Sequence, residues 1–215
     1  MNRRHLSLSL FAVISFLIGS SFAPRAQAAE PTIDFVVATS QEAKAIQRAG
    51  EYAINRLARA MTNELRVALS KDKPEDVVPI CHLKDLVKEG DTIKGLPRIT
   101  AFKLTSLKVR SQANEPDAAD QKALDAIEYA LNSGDNVPNV LVQRIMSPDT
   151  PTEWRIYRPL GVATQCLVCH GDTADQTPEL RAKLESFYPA DQAVNYRDHE
   201  WRGLIRVSVA DAETK

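Results

Sequence analysis

The chain has 215 residues, 44% hydrophobic and 26% charged, with a formal net charge of −1. This composition excludes a disordered, collagen-like or low-complexity chain and suits one globular core. The near-neutral charge supplies no field for nucleic acid, and three cysteines are too few for a disulfide scaffold.

Residues 1–28 read as a cleaved export signal. Arg3 and Arg4 precede an apolar run from Leu6 to Ile18, interrupted only by Ser7, Ser9 and Ser15, and Ala26-Gln27-Ala28 forms a small-residue cleavage pattern. The run is short for the roughly 20 residues of a membrane span, which favours cleavage before Ala29 over an anchor. Residues 29–215 are then expected to form a single domain in the periplasm, without stable membrane insertion. Cleavage removes three arginines and no acid, leaving 24 Lys and Arg against 28 Asp and Glu, a net charge of −4.

Residues 40–70 predict a long helix capped by Ser40, since Ile46, Ala49, Ala53, Leu57, Met61, Leu65 and Ala68 recur at three- and four-residue spacing. Pro74 with Glu75 and Asp76 suits the first turn of a second helix, carrying Val77, Val78, Ile80, Cys81, Leu83, Leu86 and Val87 and ending at Gly90. Residues 98–110 predict a strand with a register change. Asn114 to Asp120 reads as a polar loop, with Pro116 opening a helix whose apolar face is Leu124, Ile127, Ala130 and Leu131. Val140 to Met146 and Glu153 to Leu160 predict a hairpin. Residues 178–187 predict a short helix capped by Thr177. Trp201 to Val209 alternates with period two, as in a half-buried final strand. Early helices followed by mostly antiparallel strands argue an α+β domain.

Cys166-Leu167-Val168-Cys169-His170 carries the chemistry. C-x-x-C-H is the attachment motif of haem c. The two thiols add across the haem vinyl groups as thioethers, and His170 then offers a ring nitrogen to iron as the proximal ligand. Its other nitrogen is expected to donate to a carbonyl. A thioredoxin-type dithiol or a plain disulfide is the alternative. Zinc is weaker, because four N or S ligands are usual and only one further cysteine is present. For the second axial position the residues offer Cys81, His82, His199, Met61 and Met146. Met61 lies on the long-helix stripe and Met146 at a strand end, as packing residues would. His199 stands in the charged run Arg197-Asp198-His199-Glu200. Cys81 lies on an apolar face, where composition alone divides evenly between ligand and buried small hydrophobe.

Several pieces in order resemble the bacterial exported haem domains with a PAS-like fold, long catalogued as a domain of unknown function. They are Ile80-Cys81, Thr105 to Arg110, Asn114-Glu115-Pro116-Asp117, Tyr157-Arg158-Pro159-Leu160, Cys166-Leu167-Val168-Cys169-His170-Gly171 and Tyr188-Pro189-Ala190-Asp191-Gln192-Ala193. The resemblance covers most of residues 40–210. It implies a PAS-like five-stranded antiparallel sheet with flanking helices and one covalent haem, held by His170 on one side and by the Cys81 thiolate on the other. Such a thiolate stabilises Fe(III) and depresses the potential. The family's usual Asn-Pro is replaced by Ser111-Gln112, and its usual glycines are absent from Asn195 to Asp198. Lys108 and Arg110 are candidates to pair with the haem propionates, against the alternative of a solvated strand edge.

Three function classes follow. A redox or small-ligand sensor signals by redox change or by loss of Cys81, frees a position for a diatomic ligand, and needs a partner protein as output. An electron-transfer cytochrome needs an exposed haem edge and a charged docking patch, for which the mature charge suits a basic partner. An enzyme such as a peroxidase needs an open distal site with an acid or base, and nothing marks His82 or His199 for that role. The expectation is a mono-haem c-type sensor, with electron transfer as the alternative and no enzyme activity.

Overall fold

The computed structural model describes residues 30–80 and 97–211. The export signal and the Cys81 and His82 assignments lie outside the described residues.

Five strands form one antiparallel sheet in the order β1-β3-β4-β5-β2. They are β1 (Thr32–Phe35), β2 (Ile99–Thr105), β3 (Leu141–Ser147), β4 (Thr150–Gly161) and β5 (Trp201–Ala210). Among the described residues five helices accompany them: α1 (Gln41–Leu69), α2 (Pro74–Val77), α3 (Ala118–Ser133), α4 (Leu167–His170) and α5 (Pro178–Phe187). The α+β class and the five-stranded antiparallel sheet are as expected. Among the described residues no helix is long and apolar enough to cross a membrane.

Helix α1 starts where Ser40 Oγ accepts the Ala43 amide, at 3.0 Å. Its stripe of Ile46, Ala49, Ala53 and Leu57 is buried against Ile156, Ile205, Val207 and Val209 of the sheet. At Gly50 the helix runs so close to β4 that a Cβ would fall 2.5 Å from Ile156 Cγ1. Farther along, the stripe leaves the core: Met61, Leu65 and Leu69 are only half-buried and face a cleft.

Within the described residues the predicted second helix is interrupted, and its part from Cys81 to Gly90 lies outside them. Helix α2 ends at Val77 and passes into a 3-10 turn over Val78–Ile80. Pro79 is the physical reason, because its ring and missing N–H are incompatible with a continuing α-helix. Strand β2 contains the predicted irregularity, between Ile99 and Ala101, but stops at Thr105 rather than running to residue 110. There Ser106 Oγ accepts the Lys108 amide and turns the chain. Helix α3 opens two residues later than Pro116 suggests, since Asp117 caps it and forms a reciprocal capping box with Asp120. Leu131 is 45% exposed, off the face made by Ala123, Leu124, Ile127 and Ala130.

The final strand differs most from its pattern. Gly203 to Val209 is buried throughout, Arg206 and Ser208 included. β5 lies between β4 and β2, with α1 over Ile205, Val207 and Val209 and the α3 side over Leu204. Arg206 survives burial because the α3 face holds a charge network. Asp120, fully buried, lies 2.9 Å from Lys103 Nζ, 3.3 Å from Arg155 Nη1 and 3.5 Å from Arg206 Nη1. The Tyr157 hydroxyl lies 3.1 Å from Asp120 Oδ1 and 3.0 Å from Gln143 Oε1. Burial and the Asp120 charge hold that phenol protonated, far above its usual range.

Candidate functional site

The C-x-x-C-H segment occupies a tight turn after β4. A 3-10 turn over Thr164–Cys166 passes into α4, which ends at His170. Cys166 and Cys169 are therefore one turn apart and share a face. Both line the same cleft as His170. The turn closes with the Gly171 amide donating to the Leu167 carbonyl at 2.7 Å. A Cβ at Gly171 would meet that oxygen at 2.6 Å, which explains a glycine directly after the histidine.

The cleft holds about 1320 Å³ of empty space, its open mouth included. One wall is the second half of α1 (Met61, Leu65 and Leu69). Val77, Val78, Leu184 and Tyr188 extend that wall, and Leu160, Val162 and Leu204 close the sheet side. Such a concave, mainly aliphatic site with few polar groups suits a large flat apolar ligand.

His170 is fixed by its second nitrogen. Nδ1 lies 2.7 Å from the Ala193 carbonyl oxygen. A carbonyl only accepts, so Nδ1 carries the proton and Nε2 keeps its lone pair. Burial, then the positive charges of Arg110 and Arg202, push the imidazole pKa down to about 3, so the ring is neutral across the physiological range. The Tyr196 ring stands edge-on to the imidazole at 6.3 Å. The Tyr196 and Asn195 amides donate to the His170 and Gly171 carbonyls at 2.9 and 2.8 Å. Burial raises the Cys166 thiol above its usual range, which keeps it a protonated thiol near neutrality.

A match to the Tll0287-like family model covers residues 27–210. The chain belongs to the Tll0287-like family. Among solved structures, the crystal structure of the cyanobacterial heme-protein Tll0287 is similar at 21% identity and a TM-score of 0.39, over 53% of this chain and 63% of that one. This Tll0287-like chain thus spans less than two thirds of that structure's length. No curated protein matches it.

The other candidates separate clearly. Met61 packs partly against the α1 core and partly lines the cleft. Met146 pairs with Thr32 in β1–β3, on the far side of the sheet order. The His199 side chain is 88% exposed beside Asp198. Lys108 and Arg110 are not a solvated strand edge. Lys108 Nζ donates to the Val194 carbonyl at 2.9 Å and sits 4.1 Å over the Tyr196 ring. Arg110 lines the cleft and directs Nε and Nη2 to protein: Asp191 Oδ2 at 2.9 Å and the carbonyls of Cys169 and Ala193 at 2.6 and 3.1 Å. The missing glycines between Asn195 and Asp198 are offset by Asn195 itself, which adopts φ 59°, a region Asn tolerates better than most side chains. Arg202 is a cleft residue that pattern reading places on the solvent side of β5. It is largely desolvated, which lowers its pKa, and donates to Ser106 Oγ and the Lys108 carbonyl. Among the described residues no cluster of three His, Cys, Asp or Glu forms a bare-ion site.

Proposed function

We propose that this chain is an exported mono-haem c-type protein that acts as a redox or small-ligand sensor through a partner protein in the periplasm. The observation that carries the haem reading is His170, a neutral imidazole with Nδ1–H tied to Ala193 and the Nε2 lone pair left over, beside two thiols in one apolar cleft. The similar cyanobacterial structure is described as a heme-protein, and the residues fit that group. Cys166 and Cys169 would form the thioethers, His170 Nε2 would be the proximal ligand, and Met61, Leu65, Leu69 and Leu184 would exclude water from the macrocycle. Bound haem would supply one-electron chemistry and the capacity to bind a diatomic gas. Cys81 is the proposed distal ligand, on the family resemblance. Arg202, which lines the cleft, is the proposed propionate partner, whereas Lys108 is turned to the Val194 carbonyl and the Tyr196 ring and does not line the cleft.

The second reading is electron transfer. Val168, inside the C-x-x-C-H turn, is 37% exposed, so this turn meets solvent as an electron-exit edge would.

The test is the absorption spectrum of periplasmically matured protein, oxidised and reduced, beside Cys81→Ala. Covalent haem with a thiolate-type oxidised spectrum that vanishes in the variant supports the sensor. Identical spectra favour an electron carrier, and no covalent haem in the wild type refutes both readings.

A further inference from the structure

We infer that Arg110 is a positioning residue that weakens His170 as an electron donor by sharing the Ala193 carbonyl, an inference that rests on the haem reading above. The Ala193 oxygen accepts twice, from His170 Nδ1 at 2.7 Å and from Arg110 Nη2 at 3.1 Å. A carbonyl has two lone pairs, so both bonds are allowed. A cationic donor on one lone pair withdraws density from the oxygen and makes it a poorer acceptor for the other donor. The stronger the bond at Nδ1, the more basic the ligating nitrogen becomes. Arg110 therefore holds the imidazole toward its neutral, weaker-donor limit.

The surroundings keep this arrangement in register. Arg110 Nη2 also donates to the Cys169 carbonyl at 2.6 Å, which ties the guanidinium to the C-x-x-C-H turn itself. Asp191 uses both carboxylate oxygens: Oδ2 accepts Arg110 Nε and Oδ1 accepts the Ala193 amide at 2.8 Å. This gives the Asp and Ala of the Tyr-Pro-x-Asp-x-Ala stretch a physical task, one aiming the cation and the other presenting the shared oxygen. The Arg110 and Asp191 side chains are each only 12% exposed, and the pair is charge-neutral. The Arg110 charge also acts on His170 through space, so the Nδ1–H resonance, which reports the shared oxygen directly, is the deciding readout.

The experiment compares wild type, Arg110→Gln and Arg110→Lys in the full chain with two readouts. The first is the His170 Nδ1–H proton resonance in haem-free protein. It should move downfield in both variants as the bond to Ala193 shortens. The second is the haem midpoint potential, which should fall in both, since a more basic imidazole favours Fe(III). Arg110→Lys retains a cation for Asp191 but cannot reproduce the fork, so it remains informative if Arg110→Gln does not fold. An unmoved or upfield resonance in the folded variants overturns the inference, even with a lower potential, because charge alone would then explain that fall. Wild-type values in Arg110→Lys also overturn it. A wild-type chain that takes up no haem refutes the haem reading, while the resonance still tests the hydrogen bond.

Discussion

Replacing Asp120 with Asn tests whether charge pairing holds α3 on the sheet. Asp120 is fully buried and meets Lys103, Arg155, Arg206 and the Tyr157 hydroxyl. Removing one partner of a buried ion pair typically costs about 3–5 kcal/mol. Here the lower end applies, because the cations retain other acceptors. Arg155 keeps Asp117 and Glu153, Arg206 keeps Asp117 at 3.6 Å, and Lys103 keeps the Glu115 carbonyl. The expected loss is therefore about 3 kcal/mol. With a urea m-value of about 2 kcal/mol/M, the unfolding midpoint by circular dichroism should drop by about 1.5 M with m unchanged. A drop under about 0.3 M, equivalent to about 0.6 kcal/mol, would refute the argument and show that the network is held by α3 packing alone.

Burial alone would raise the Asp117 and Glu153 carboxyls, but hydrogen bonds outweigh it and lower both. Asp117 accepts the Asp120 amide and Arg155, and Glu153 accepts Arg155 and Ser208. Their stabilisation is complete above the ordinary carboxylate range near pH 4 and is lost as pH falls through the lowered values. The urea midpoint should be flat from about pH 7 to 5 and decline below about pH 4; a midpoint that rises on acidification contradicts these pairings. Gly171→Ala places a Cβ against the Leu167 carbonyl at 2.6 Å. It should cost on the order of 1–3 kcal/mol, read by thermal unfolding, and reduce covalent haem on stained gels. Leu65→Glu puts a charge on a half-buried cleft wall. Stability should change by less than about 1 kcal/mol, while the ratio of Soret to protein absorbance falls; an unchanged ratio would remove this wall from the haem site.

Local spacing made the centre of the site legible. Cys166, Cys169 and His170 share one turn, and the geometry of one turn follows from backbone periodicity alone. The same holds for the Ser40 and Thr177 boundaries, where capping chemistry acts within three residues. The α1 stripe was equally readable, although its last third, from Met61 to Leu69, turned out to face a cleft rather than core. Periodicity reports an apolar face but not what covers it.

Tertiary structure decided everything that depends on long-range pairing. Arg206 and Ser208 alternate with apolar residues as solvent-facing side chains would. They are nonetheless buried, because β5 sits centrally in the sheet and Asp120, 86 positions away in sequence, supplies the compensating charge. Arg202 enters the cleft for the same reason, β5 having been carried beside β2 and the Ser106 turn. Composition could nominate Arg110 only as a generic anion partner. Its actual partners, Asp191 and the Cys169 and Ala193 carbonyls, come from two other segments, and two of the three are backbone atoms with no residue signature. The chain's own order thus determined which side chains can do chemistry, and the packing of segments 17 to 96 residues apart determined which of them meet. A hydrogen bond or ion pair forms only where folding brings its two ends together, and no short-range pattern records that distance.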